Sequence, residues 1–233
     1  MRAVLWDMDG TLIDSEKLWD ISMAETCRRL GGEMTPELRT ALLGGSAEAT
    51  MKMMFAAFGL EPDPELMARE NDWLHEYTGE LFETNLTWCD GAQDMLAQLA
   101  AEQVPMALVT NTIRSLTNQA LKTIGTQWFS GTVCGDEVAR TKPAPDPYLR
   151  AAALLDIDPA DCLAIEDSAT GAAAAEAAGC VVLVVPNHVE VPAGDRRRHA
   201  ATLSGLSAAD LRRAHADADR HRVQTHMTHQ AGS

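Results

Sequence analysis

Short apolar runs rich in β-branched residues alternate with stretches of helical periodicity over much of the chain. The runs predict buried strands at residues 4–6, 106–110, 132–134, 162–165 and 181–185. The stretches between them predict helices at residues 93–102, 115–124, 147–155 and 169–178. Ser168 and Gly179 flank the last helix and are typical of an N-cap and a left-handed C-cap. The alternation predicts an α/β fold, a Rossmann-like parallel sheet with helices on both faces.

Residues 15–86 show a different pattern, which carries no convincing strand signal. They are rich in helix formers, and their methionines and phenylalanines recur at near-helical spacing, as in the interior of a small helical bundle. Because this segment follows the first strand, we expect an inserted all-α cap placed to act as a lid. The predicted organisation is a catalytic core at 1–14 and 87–211, a helical cap at 15–86 and a polar, flexible tail at 212–233.

Composition and charge narrow the partners that the chain can bind. With a formal net charge of −15, its surface should repel nucleic acids and anionic membranes, so we expect neither as a partner. The five cysteines are scattered and form no C-x-x-C pair, which favours a reducing compartment and a cytoplasmic protein. The basic run 196–199 is interpreted as a solvated loop. The sequence leaves the oligomeric state open.

Two carboxylates, Asp7 and Asp9, lie two positions apart at the end of the first apolar run. Alternation along a strand points residues i and i+2 to the same side, so both can face one pocket at the strand's carboxyl end. One carboxylate can then act as a nucleophile and the other as an acid/base, while a metal offsets their repulsion. The alternative is an acidic turn, since Asp-Gly is a common turn dipeptide.

Three further groups of polar residues follow later strands. Thr110 and Asn111 suit hydrogen bonding to phosphate oxygens, and Lys142 suits neutralising a phosphoryl oxygen together with a carboxylate. Glu166 and Asp167 are adjacent oxygen ligands of the kind that Mg²⁺ prefers. Each group has an ordinary structural explanation of its own. Their order along the chain, each at or just beyond a strand's carboxyl end, predicts that they converge at one edge of the sheet.

In this respect the chain resembles the haloacid dehalogenase superfamily of phosphotransferases. The resemblance spans nearly the whole chain and rests on four motifs: Asp7-Met8-Asp9-Gly10-Thr11, Thr110, Lys142 and Glu166-Asp167. The continuation Leu12-Ile13-Asp14-Ser15-Glu16, with the helical insertion, is similar to the branch that carries an α-helical cap between the first two motifs.

The resemblance implies roles for the residues that match. Asp7 would be the nucleophile that becomes an aspartyl phosphate, and Asp9 the acid/base that protonates the leaving oxygen and then activates water. Thr110 and Lys142 would hold the transferring phosphoryl group. Mg²⁺ would be coordinated by Asp7, the backbone carbonyl of Asp9 and Asp167, with Glu166 in or next to that set of ligands.

Individual residues indicate which members of the superfamily the chain resembles most. Family members that cleave carbon–halogen bonds lack the second acid, so Asp9 argues for phosphate chemistry. β-Phosphoglucomutases share Gly44-Gly45-Ser46 in the cap's substrate loop, which would help line the leaving-group pocket. They carry a histidine, a lysine and an arginine where this chain has Trp19, Leu43 and Ala47. Residues 14–19 look more like those of sugar- and polyol-phosphate phosphatases.

The resulting prediction is a Mg²⁺-dependent phosphomonoester hydrolase that acts on a small phosphorylated metabolite through an aspartyl-phosphate intermediate. A sugar or polyol phosphate is the favoured substrate. Two alternatives remain open at this point: a phosphomutase similar to β-phosphoglucomutase, and a catalytically idle binding or regulatory protein.

Overall fold

The computed structural model describes residues 1–42, 47–187 and 190–218 and divides into two compact units. The sheet unit comprises Met1–Asp14, Trp88–Arg114 and the chain from Ile124 onward. The helical unit comprises Ser15–Thr87 and Ser115–Thr123. Residues 115–123 lie within the predicted core segment 87–211 but group with the helical unit. The division into a catalytic core, a cap and a tail stays a prediction.

One parallel sheet forms the centre of the sheet unit. Within the described residues its strands are β1 (Ala3–Trp6), β2 (Met106–Val109), β3 (Gly131–Val133), β4 (Cys162–Glu166), β5 (Val181–Val184) and β6 (Arg197–His199). They lie in the order β3-β2-β1-β4-β5-β6, and every neighbouring pair is parallel. The predicted Rossmann-like α/β fold is confirmed. Because the winding changes direction between β1 and β4, their carboxyl ends flank the crevice where such sheets bind ligands.

The helices are α1 (Glu16–Arg29), α2 (Pro36–Leu42), α3 (Ala47–Ala57), α4 (Pro64–Asn85), α5 (Ala92–Ala101), α6 (Arg114–Ile124), α7 (Asp146–Leu154) and α8 (Ala169–Ala178). Short 3₁₀ turns occupy Thr126–Trp128, Gly135–Glu137 and Pro159–Asp161. The Ser168 hydroxyl caps α8 by accepting a bond from the Gly171 amide, and Gly179 ends it with φ of 97°. Both predicted caps are confirmed. Among the described residues no helix has the length and apolarity needed to cross a bilayer.

Small side chains let α7 and α8 pack closely on one face of the sheet. That face presents alternate strand residues, including Ala3 and Leu5 of β1, and α8 contributes buried alanines to the same cluster. Asp7 continues the Ala3–Leu5 series by two residues, and its amide still donates to the Ile165 carbonyl at 3.0 Å. The strand alternation therefore directs the first carboxylate toward the buried face covered by α7 and α8.

The helical unit buries the sulfur-containing and aromatic side chains that the sequence placed in its interior. Met51, Met54 and Phe55 of α3 pack with Met23 and Cys27 of α1. Buried hydroxyls join α1 to α4, since Thr78 donates to the Ser22 hydroxyl at 2.9 Å. The unit's interior is thus built from packing contacts and satisfied polar groups.

Two elements differ from the sequence interpretation. Residues 197–199, interpreted as a solvated loop, form the edge strand β6, and the Arg197 guanidinium pairs with Glu176 at 2.7 Å. Residues 208–218 are helical, although the predicted tail begins at 212. The buried His215 ring joins this helix to the Ala160 carbonyl at 3.0 Å. Residues 219–233 lie outside the described residues.

Candidate active site

Lys142 connects the two carboxylates that follow β1 and end β4. Its Nζ atom donates to Asp7 Oδ1 and to Glu166 Oε1, each at 2.7 Å, and to the Val109 carbonyl at 2.8 Å. An ammonium group has three donors, so these contacts use all of them. Although burial lowers the pKa of Lys142, Asp7 and Glu166 outweigh it and raise that pKa above its usual value. Lys142 is therefore a fixed positive charge in contact with Asp7 Oδ1.

The loop that carries Lys142 is fastened to the end of β2 by Asn111. The Lys142 amide donates to Asn111 Oδ1 at 2.9 Å, and Asn111 Nδ2 donates to the Lys142 carbonyl at 3.2 Å. The Asn111 side chain thus positions Lys142. That Asn111 also binds phosphate stays a prediction.

Glu166 is fully buried and is held by further side chains. Its Oε1 atom accepts from the Tyr148 hydroxyl at 2.6 Å, and its Oε2 atom accepts from the Ser168 hydroxyl at 3.1 Å. Gly171 makes room for this carboxylate, because a Cβ atom there would lie 1.9–2.1 Å from its atoms. The start of α8 is therefore shaped around Glu166.

Asp9 contacts hydroxyls at the end of β2. Its Oδ2 atom accepts from the Thr112 hydroxyl at 2.8 Å and from the Thr110 hydroxyl at 3.3 Å. Gly10, which follows Asp9, packs against Asp167 of the fourth motif. It adopts φ of +82°, and a Cβ atom there would lie 2.0 Å from Asp167 Oδ2. Only glycine therefore fits both the conformation and the close approach of Asp167.

Asp7, Glu166 and Asp167 form an acidic cluster in which one oxygen of each lies within 4.8 Å of the others. Burial, followed by the charge of Glu166, raises the pKa of Asp7 to about 7, against the effect of Lys142. Burial and the charges of Asp7 and Glu166 also raise the pKa of Asp167 well above its usual value. Asp7 Oδ2 is buried with no hydrogen-bond partner among the described residues. A single lysine leaves this cluster short of positive charge, and hard oxygen ligands suit a divalent cation such as Mg²⁺.

Comparison with known proteins agrees with this geometry. A family model described as haloacid dehalogenase-like hydrolase matches residues 4–185. The chain belongs to this family. Validoxylamine A 7'-phosphate phosphatase from Streptomyces hygroscopicus subsp. limoneus is 31% identical over 192 residues, which are 81% of this chain and 88% of that protein. Hexitol phosphatase A from Escherichia coli is 32% identical over 192 residues, 82% of this chain and 86% of that protein.

Among solved structures, a mutant of CbbY from Rhodobacter sphaeroides in complex with xylulose-1,5-bisphosphate superposes with a TM-score of 0.80. The two chains are 28% identical, and the match covers 91% of this chain and 99% of that one. Phosphatases of the family generally use Mg²⁺, and the acidic cluster is a set of residues that could hold such an ion.

The structure brings most of the predicted residues of this family's site together and adds others. Hydrogen bonds join Lys142 to Asp7, Asn111 and Glu166, and a separate bond joins Thr110 to Asp9. Asp167 lies in the acidic cluster with Asp7 and Glu166. The predicted cap loop Gly44-Gly45-Ser46 lies outside the described residues. Two further residues of the site, Tyr148 and Thr112, were not predicted from the sequence, and they contact Glu166 and Asp9 respectively. Tyr148 follows Lys142 by six residues, and this short separation is the one feature of the sequence that connects it with the site.

Proposed function

We propose that this protein is a Mg²⁺-dependent phosphomonoester hydrolase that uses Asp7 as its nucleophile. One observation carries the proposal. Asp7 is buried, one of its oxygens is bonded to Lys142, and the other has no hydrogen-bond partner among the described residues. Such a carboxylate keeps a lone pair for attack on phosphorus while a fixed cation beside it balances the negative charge.

In the first step an Asp7 oxygen forms a bond to phosphorus and the ester P–O bond breaks. Asp9 gives a proton to the leaving alkoxide, and Thr110 and Lys142 stabilise the charge on the phosphoryl oxygens. In the second step Asp9 takes a proton from water as the water oxygen attacks phosphorus. The P–O bond to Asp7 then breaks, and inorganic phosphate and the free carboxylate result. The covalent intermediate divides one difficult displacement into two easier ones.

The acidic cluster supports a role for Mg²⁺. Asp7, Asp167 and the backbone carbonyl of Asp9 would hold the ion, with Glu166 in or next to that set. When bound, the ion supplies positive charge that offsets the repulsion between the carboxylates and the phosphoryl group. Glu166 already accepts bonds from Lys142, Tyr148 and Ser168. These contacts support assigning Glu166 mainly to the orientation of Lys142.

Small phosphorylated metabolites, with sugar and polyol phosphates favoured, are the proposed substrates. The relatives support this class, since one is named a phosphatase of validoxylamine A 7'-phosphate and another a hexitol phosphatase. We assign the choice of substrate to the helical segment 15–86 in the role of a cap. Cytoplasmic location is proposed on the basis of the cysteines, all of which are free thiols among the described residues.

Phosphate release tests the proposal directly. A panel of sugar, polyol, nucleotide and two- or three-carbon phosphates is compared by kcat/KM, with Mg²⁺ and with a chelator. We expect Mg²⁺-dependent release that is fastest with sugar or polyol phosphates. Absence of release from every phosphomonoester would support the idle-protein alternative. Conversion of glucose 1-phosphate to glucose 6-phosphate with a bisphosphate activator and without free phosphate would support the mutase.

A further inference from the structure

The hydroxyl of Tyr148 has no place in the reaction described above, yet it makes the shortest of the bonds to Glu166. It donates to Glu166 Oε1 at 2.6 Å, the same oxygen that accepts from Lys142 at 2.7 Å. Tyr148 and Glu166 are both fully buried. The phenol has a single O–H donor, and the 2.6 Å distance shows that this donor is used on Glu166 Oε1.

The ring of Tyr148 is fixed by packing that does not involve the hydroxyl. The residue lies in α7 and belongs to the apolar cluster that covers β1 and β2. Its ring centroid lies 5.2 Å from Lys142 Nζ, within the range of a cation–π contact. A phenylalanine would therefore fill the same space and keep the ring next to Lys142. What it would lack is the second donor to Glu166 Oε1.

We propose that Tyr148 is a positioning residue, whose hydroxyl fixes the Glu166 carboxylate and, through it, the direction in which Lys142 Nζ faces Asp7. The inference rests on the proposed function. Lys142 has three contacts, and the Val109 carbonyl is held by the sheet. The Glu166 carboxylate, in contrast, can rotate about its side-chain bonds. Its orientation therefore decides where Oε1, the oxygen that accepts from Lys142, lies. Two donors on Oε1 and the Ser168 hydroxyl on Oε2 restrict that rotation.

The fixed orientation has a chemical consequence for phosphoryl transfer. Because all three Lys142 donors are already bonded, the stabilisation that it gives to the transition state is electrostatic and depends on how close its positive charge is held to Asp7. If Glu166 turns, the Lys142 ammonium follows it away from Asp7 Oδ1. A misplacement of this kind lowers the rate of the chemical step, while binding of the substrate's remaining atoms is unaffected.

The test is Tyr148→Phe, with Tyr77→Phe as the matched control because Tyr77 is the chain's other tyrosine and lies in α4. We expect Tyr148→Phe to lower kcat by roughly 10- to 100-fold with KM changed by less than about threefold. Tyr77→Phe should leave both constants unchanged. An unchanged kcat in Tyr148→Phe would overturn the proposal.

A second arm separates positioning from simple structural damage. Tyr148→Phe is combined with Lys142→Arg, which keeps a cation of different shape. If the hydroxyl acts through the Lys142 ammonium, Tyr148→Phe should cost less than about threefold in the Lys142→Arg background. The same factor in both backgrounds would contradict the proposal and indicate a general loss of structure.

A third arm does not depend on activity. In a crystal structure of Tyr148→Phe, the distance from Lys142 Nζ to Asp7 Oδ1 should exceed the present 2.7 Å by about 0.5 Å or more. An unchanged distance would overturn the proposal even if kcat fell. If the wild-type protein released no phosphate, the proposed function would fail, and this distance would still decide whether Tyr148 positions Lys142.

Discussion

Each of the two units contains a buried carboxylate that is paired with a basic residue, and the two sites differ in how completely the carboxylate is satisfied. In the helical unit Glu70 accepts from Arg29 through both oxygens and from Arg69 through Oε1. Although burial opposes it, these bonds lower the pKa of Glu70. In the sheet unit one lysine serves both Asp7 and Glu166, and the pKa of Asp7 is raised to about 7.

The difference separates a structural pair from a reactive one. The Arg29 guanidinium carbon also lies 4.1 Å from the centroid of the Trp73 ring. The helical pair is therefore stacked on a ring as well as hydrogen-bonded, and both oxygens of Glu70 have partners. Asp7 instead keeps one buried oxygen without a hydrogen-bond partner among the described residues. A buried polar atom without a hydrogen bond lowers stability, and such atoms are found mainly at sites that bind a ligand or carry out a reaction. We therefore expect charge changes to affect catalysis in the sheet unit and only stability in the helical unit.

The largest effect is expected from removing the nucleophile. Asp7→Asn should lower phosphate release by at least about 1,000-fold, because an amide cannot form the covalent intermediate. The matched control is Asp72→Asn, at an exposed position in α4, which should retain full activity. Initial rates on one phosphomonoester measure both variants. Substantial activity in Asp7→Asn would exclude the proposed mechanism.

The two ion pairs can be compared directly by removing the cation from each. Lys142→Met should lower activity roughly 100-fold or more and destabilise the fold by about 3 kcal/mol, because two buried carboxylates lose the cation that they share. Arg29→Met should cost about 1–2 kcal/mol and leave kcat within about twofold, since Arg69 still pairs with Glu70. Urea unfolding and steady-state kinetics measure the two effects. If Arg29→Met lost activity as Lys142→Met does, the distinction between the pairs would be wrong.

Replacing two helical glycines with alanine should have smaller effects, a loss of activity at one position and a gain in stability at the other. Gly171→Ala would place a Cβ atom about 2 Å from the Glu166 carboxylate and should lower activity roughly 10-fold or more. Gly79→Ala in α4 would place its Cβ atom 3.5 Å from Leu116 Cδ2, an ordinary contact. This control should stabilise the protein by about 0.5–1 kcal/mol through helix propensity. Equal activities of the two variants would argue against the close fit around Glu166.

The smallest effect concerns pH. Asp7 has a pKa of about 7 in the folded chain, against about 3.9 when unfolded, so this group's contribution to stability falls as pH rises between those values. Binding of a cation requires the deprotonated carboxylate. Mg²⁺ should therefore raise the melting temperature by a few °C more near pH 8 than near pH 6. The difference should be lost in Asp7→Asn, and an equal increase at both pH values in the wild-type protein would contradict the assignment of Asp7 to the ion.

The sequence predicted the parallel sheet and the polar residues at its edge for one physical reason. Buried parallel strands leave strong apolar signals, and residues that follow them must meet at the same edge. Ser168 and Gly179 were predictable because capping depends on local geometry alone. The strand β6 was missed because an edge strand can contain polar residues such as Arg197, which is held by Glu176. The helix over 208–218 was missed because its buried positions include His215 and alanines, which give little apolar signal.

The contacts inside the site could not be predicted from the sequence in the same way. Tyr148 in α7 has the sequence features of an ordinary core aromatic residue, and its bond to Glu166 depends on how α7 packs on the sheet. Thr112 lies in a loop, and only the turn after β2 brings its hydroxyl to Asp9. Asn111 was assigned to phosphate by its residue type, whereas its side chain is bonded to the backbone of Lys142. Residue type indicates the chemistry, and tertiary packing selects the partner.

The central claim is that phosphate is transferred to Asp7, and the covalent intermediate is the most direct test of it. In Asp9→Asn the phosphoenzyme should form slowly and hydrolyse more slowly still, because the acid/base is missing from both steps. After substrate is added and the reaction is stopped with acid, mass spectrometry of peptides should locate one phosphoryl group on Asp7. No phosphoryl group should appear in Asp7→Asn. Steady turnover without a phosphorylated Asp7, or a phosphoryl group on another residue, would contradict the account.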